Sequence, residues 1–168
     1  MRDTIKNILK QYNLYRIPVD IVKLAQNLGF TILQQELDYD GAILSNNESF
    51  KIDGKDYNKA ILININQIPT RKRFTIAHEL IHWINASEEE RQHLYAHRDD
   101  NLTEYNEEPD INAWASELLM PSGLLKNFLK NLDYFYISPS IIYEVANAFN
   151  VSYAAAQIRL EKYQKRGI

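Results

Sequence analysis

The chain has 168 residues, 45% of them apolar, with only five glycines and five prolines, which is enough for one compact globular domain with a substantial core. A formal charge of −3 gives no electrostatic case for binding nucleic acid or an anionic membrane surface. The absence of cysteine excludes disulfides and thiolate metal ligands and is compatible with a reducing cytoplasm.

No apolar run approaches the length of a membrane span and the N-terminus has no signal-peptide core, so a soluble, cytosolic protein is expected. Residues 2–13 read as a short amphipathic helix through Ile5, Ile8 and Leu9. Pro18 opens a second helix that Gly29 closes, with Ile21, Leu24, Ala25 and Leu28 as its buried stripe. Phe30 to Leu37 is strand-like, Asp40-Gly41 signals a turn, and Ala42 to Leu44 begins a second strand. Lys55 to Tyr57 is assigned to another polar turn before the strongest strand, Ala60 to Ile65. Three strands make a small mixed or antiparallel sheet, whose edge can pair with the backbone of an extended peptide.

Next comes Thr75-Ile76-Ala77-His78-Glu79-Leu80-Ile81-His82-Trp83. The run from Arg71 to Ile84 has no internal glycine or proline and follows Pro69-Thr70, a helix-start signal. Phe74, Ala77, Leu80, Ile81 and Ile84 form its apolar stripe, with the two histidines on its flank. Four residues apart on a helix, His78 and His82 leave one face a turn apart, close enough to bind a single metal ion. Two neutral imidazoles suit Zn²⁺, and the carboxylate of Glu79 can take a proton from water that the metal activates, the chemistry of His-Glu-x-x-His in metallopeptidases. The bland alternative is a half-buried helix whose histidines are satisfied by neighbours. Arg71-Lys72-Arg73 reads as the solvated start of this helix.

A tetrahedral catalytic zinc takes a third protein ligand and leaves the fourth position to water, so without cysteine that ligand is His, Asp or Glu. Ser87 followed by Glu88, Glu89 and Glu90 predicts an N-capped helix through Tyr95 or Ala96. His93 and His97 repeat the four-residue spacing without an intervening base and read as surface or cleft-lining residues. Arg98 to Glu107 is a polar, acidic loop. A further helix follows from Pro109 to Pro121, with Ile111, Trp114, Ala115, Leu118 and Leu119 on its apolar face. Glu108 sits at its N-terminus and Asn112 one turn further along the same face. A metal-binding carboxylate with a polar residue placed to hydrogen-bond a ligand histidine is the support such sites use.

Beyond Pro121 the sequence predicts a helix to about Asn131, an aromatic stretch Tyr134-Phe135-Tyr136 that suits packing, a helix from Pro139 capped by Ser138, and a last helix capped by Ser152. The final pair has the form of a helix-turn-helix. Ala154, Ala155 and Ala156 cannot reach base edges, however, and the basic residues gather only at Lys162, Lys165 and Arg166, so a helical pair packing on the rest of the fold is favoured over DNA readout.

Arg73-Phe74-Thr75-Ile76-Ala77-His78-Glu79-Leu80-Ile81-His82, together with Glu108-x-x-x-Asn112-x-Trp114-Ala115-x-x-Leu118-Leu119-Met120-Pro121, resembles the ImmA/IrrE family of metallo-endopeptidases. Ile17-Pro18-Val19-Asp20 with Leu24 to Gly29, and Phe149-Asn150-Val151-Ser152-Tyr153 with Arg159-Leu160, resemble the family's two ends. The chain departs from the usual pattern at Ile81, Trp114 and Ile111, none of which removes a chemical group.

The resemblance implies that His78 and His82 bind zinc, one ion per chain, that Glu79 is the general base, that Glu108 is the third ligand, with Glu107 its nearest competitor, and that Asn112 supports the first histidine. Weak candidates for oxyanion stabilisation are His93, His97, Tyr95 and Tyr105. The fold expected is an α+β minimal zincin-like domain spanning residues 1–168. Its parts are the N-terminal helices and small three-stranded sheet (1–68), the metal-site helices (69–121) and the C-terminal helical subregion (122–168). The implied activity is a site-specific cut in a protein substrate, a helix-turn-helix transcriptional repressor of the kind often encoded on a prophage, which relieves repression. A non-proteolytic anti-repressor that acts by binding its partner is the alternative from another class, and direct DNA binding the third.

Overall fold

The computed structural model describes residues 1–98, 109–132 and 136–166. Among them lie seven α-helices and one four-stranded sheet, a mixed α+β composition. The chain divides into two compact units, Ile21–Ala115 and Met1–Asp20 with Ser116–Ile168.

The first unit is built on the sheet. β1 (Thr31–Gln35), β2 (Gly41–Ile52) and β3 (Lys55–Asn64) are followed later by β4 (His93–Arg98), in the spatial order β1-β3-β2-β4. β1 runs parallel to β3, and β2 is antiparallel to both β3 and β4. Ala60 to Ile63 alternate between the two faces of β3 and all four are buried, as a central strand requires. The β2–β3 turn falls at Asp53-Gly54, both with positive φ, the geometry of a two-residue hairpin whose twist matches the strands. The turn predicted at Lys55–Tyr57 is instead the first part of β3, where Tyr57 pairs with Phe50 across the ladder.

The sheet has four strands rather than three, and the extra one replaces a predicted helix. The capping signal at Ser87 is real: Ser87 N donates to Glu90 Oε2 at 2.7 Å and Glu90 N to Ser87 Oγ at 3.2 Å. It opens only a 3-10 turn at Glu90–Gln92. The next six residues find a ladder of partners along Gly41–Asn46 of β2, and those backbone bonds outweigh local helix preference.

α2 (Ile21–Asn27) and α3 (Pro69–Asn85) complete this unit, α2 packing on α3 and β1 and α3 on β2, β3 and β4. α2 begins at Ile21, three residues after Pro18, and ends before Gly29 at φ 91°. α4 (Pro109–Leu119) runs from this unit into the next.

The second unit holds α1 (Arg2–Gln11), α5 (Ser122–Lys130), α6 (Pro139–Phe149) and α7 (Tyr153–Arg166). Ile5 and Leu9 are the buried stripe of α1. Ser138 Oγ accepts from Ile141 N and Ser152 Oγ from Ala155 N, so both predicted caps form, and Asn150 closes α6 in the left-handed region at φ 53°. Phe149 is fully buried and meets Phe128 edge-on, ring centroids 5.6 Å apart. The stretch 133–135, with Tyr134 and Phe135, lies outside the described residues; Tyr136 is exposed. No helix among the described residues is long and apolar enough to cross a membrane.

Candidate metal centre

α3 starts with Pro69 at its first position, where a missing N–H costs nothing. Ala77, Leu80, Ile81 and Ile84 of the predicted stripe are buried, while Phe74 is only half-buried and Ile76, outside that stripe, is buried as well. They carry three buried polar residues with them: Thr75, His78 and Glu79. Burying polar groups needs precise support.

Part of that support comes from the loop before β2. Asp40 accepts from Arg71 Nη2 at 2.5 Å and from Gln67 Nε2 at 2.6 Å, and Gln67 Oε1 in turn accepts from Thr75 Oγ1 at 3.1 Å. Arg71, expected to be solvated, thus ties the start of α3 to the sheet, and Lys72 reaches Gln34 at 2.7 Å. Gly41 allows the close approach: a Cβ there would lie 2.4 Å from Thr75 Cγ2 and 2.8 Å from the Leu62 carbonyl oxygen.

The other end of α3 is held at Trp83. Arg91 donates to the carbonyls of Trp83 and Ile84 at 2.7 and 2.8 Å, placing a cation on the helix C-terminus. Its guanidinium carbon is 4.2 Å from the Trp83 ring centroid, and Lys59 Nζ is 4.5 Å from it. Burial, and then Arg91, lowers the pKa of the Lys59 ammonium.

Between these anchors His78 is 5% exposed and Glu79 fully buried. His78 Nδ1 lies 3.0 Å from Asn112 Oδ1. An amide oxygen only accepts, so Nδ1 carries the proton and, in the neutral ring, Nε2 keeps its lone pair. That nitrogen is 3.1 Å from His82 Nε2. A tetrahedral zinc about 2.0–2.1 Å from each of two imidazole nitrogens separates them by about 3.3 Å, so this donor pair fits the ion with little adjustment.

Among the described residues no group of three His, Asp or Glu gathers to hold a metal. Glu108, its competitor Glu107, and Tyr105 lie outside the described residues, as does the side chain of His97. His93 and Tyr95 are exposed on β4. With His82 they border a cleft of about 660 Å³ between the end of α3 and the start of β4.

Tyr39 was not anticipated. Its phenol pKa is raised by burial first, then by Tyr95 and the charge of Glu79, which puts it within electrostatic reach of the buried carboxylate. Its place just before the Asp40-Gly41 turn is the only sequence signal that pointed near it.

No curated protein matches the chain. The model of the Peptidase M78 family, described as an IrrE N-terminal-like domain, matches residues 41–161. That span takes in the β2–β3 hairpin, the histidines of α3, Asn112 and most of α7, and on it the chain belongs to the ImmA/IrrE family of metallopeptidases.

Proposed function

We propose that this protein is a zinc-dependent endopeptidase that makes a site-specific cut in a protein substrate, a helix-turn-helix transcriptional repressor, and so relieves repression. The observation that carries the reading is the pair of imidazole Nε2 atoms 3.1 Å apart, one oriented by Asn112, beside a fully buried Glu79.

His78 and His82 hold the ion in this reading, with Glu108 as the third ligand. Zinc there supplies a Lewis acid for the scissile carbonyl and lowers the pKa of water. Glu79 takes the proton that water loses and delivers it to the leaving amine, an exchange a buried carboxylate performs without competition from bulk solvent. Asn112 fixes the tautomer of His78, so the ring presents a lone pair without having to lose a proton. β4 lies at the edge of the sheet, and its outer backbone groups suit pairing with an extended substrate segment.

The outward side of α7 carries Ala154, Gln157, Ile158 and Glu161, which supports protein contact over reading base edges. Glu79→Gln separates cleavage from sequestration. It keeps the side-chain shape and removes the base, so cutting of the repressor and derepression are expected to fall about 10²–10⁴-fold with zinc retained. Full derepression by this variant would show that the protein works by binding alone.

A further inference from the structure

The cleft beside His82 has a chemical bias of its own. Glu89 and Glu90 line it, both exposed and both acidic, while Ala86 and Leu94 give it apolar surface and Tyr95 borders it from β4. No lysine or arginine is among its described lining residues. The nearest cation in sequence, Arg91, is turned onto the Trp83 ring and the last carbonyls of α3. Hydrogen bonds from Ser87 lower the pKa of the Glu90 carboxylate, so it is ionised at neutral pH.

At about 660 Å³ the cleft has room for one long side chain, and it is open to solvent. Apolar walls with carboxylates beside them match a long side chain with a methylene stem and a cationic head, which packs the stem and keeps the charge near water.

We infer that this cleft is a specificity pocket that takes a lysine or arginine side chain of the substrate next to the scissile bond, with Glu89 and Glu90 as its charge-selecting residues. The inference rests on the peptidase reading, since it is His82 that joins the cleft to the reacting centre. An exposed ion pair is worth up to about fivefold in binding, so the two carboxylates together give a preference of roughly a few-fold. The preference weakens as salt rises, because the carboxylates are exposed.

The test is cleavage of a random peptide library by the zinc-loaded protein, with cut sites read by mass spectrometry at low and high salt, for wild type and for the double variant Glu89→Gln/Glu90→Gln. Glutamine retains an acceptor for the Ser87 amide and removes the charge. Enrichment of lysine and arginine at one position flanking the cut, about threefold or more in wild type and lost in the double variant, whose zinc content and circular dichroism match those of wild type, is the expected result. Cuts without basic enrichment, or enrichment that the double variant retains, would overturn the pocket and leave the peptidase reading standing. A library left intact by wild type at equimolar enzyme would also overturn the pocket, which needs only a side chain to bind, while the peptidase reading is decided separately by cutting of the repressor by wild type and Glu79→Gln.

Discussion

In the unit that holds α5 to α7, Arg159 and Glu117 are buried side by side within a network of hydrogen bonds, and the half-exposed Arg2 adds a second cation 3.8 Å from Glu117 Oε2. Arg159 donates to Glu117 Oε2, to the Met120 carbonyl and to Ser122 Oγ, while Glu117 also accepts from Ser122 N and Ser122 Oγ. On α3 the buried polar atoms are arranged differently: His78 is fastened through Nδ1, and its other nitrogen is aimed at the matching nitrogen of His82. A cation and an anion that cancel each other hold helices together. Two imidazole nitrogens brought within 3.1 Å of each other carry no such cancelling pair of charges, and it is this pair that the proposed function assigns to a metal ion. Burial alone therefore does not separate structural from chemical use; the signs and directions of the groups do.

Breaking the closed cluster should have the largest effect. Arg159→Ala leaves the buried Glu117 carboxylate with only Ser122 and the more distant Arg2 and is expected to cost about 3 kcal/mol in urea unfolding. The double variant Arg159→Met/Glu117→Leu should recover most of that loss, because it leaves no buried charge behind. A small cost for the single variant would mean that this cluster, like a surface pair, contributes little. Asn112→Ala attacks the other arrangement. It should weaken zinc binding about 10–100-fold by calorimetry while moving the unfolding midpoint far less than Arg159→Ala does.

Gly41→Ala probes how α3 is seated. The added carbon meets both the Thr75 methyl and the Leu62 carbonyl, so a loss of about 1–3 kcal/mol is expected, with partial recovery when Thr75→Ser removes one of the two clashes. The smallest effect belongs to the exposed Ser87–Glu90 pair. The folded-state pKa of Glu90 lies below its ordinary 4.5, so its stabilisation is complete above that value and is lost as pH falls through the lower, folded one. Glu90→Ala should therefore lower the thermal midpoint slightly at pH 7 and make no difference in strong acid.

What could be read from the sequence was local. Pro69 at the start of α3, the serine caps at Ser138 and Ser152, and four of the five stripe positions on α3 all depend on residues within one or two turns of each other and are found in place; Phe74 is only half-buried, because Ile76 takes a buried position instead. β4 escaped because Ser87 and Glu90 do form the cap that signals a helix, while the strand that claims the next residues lies some fifty positions earlier. The ties that seat the polar groups are long-range: Arg71 to Asp40 spans 31 positions and Arg159 to Glu117 spans 42. Nothing in the residues near Arg71 or Arg159 announces those partners. Asn112 was the exception, reached through family resemblance and one-turn spacing on α4, and it lies against His78.

The most direct test of the account is the metal content of the purified protein, measured by elemental analysis on wild type and on His82→Ala. About one zinc per chain in wild type and none in His82→Ala is the predicted result. No zinc in wild type after exposure to the ion, or equal zinc in both proteins, would contradict the claim that the two facing nitrogens of α3 are there to hold a metal.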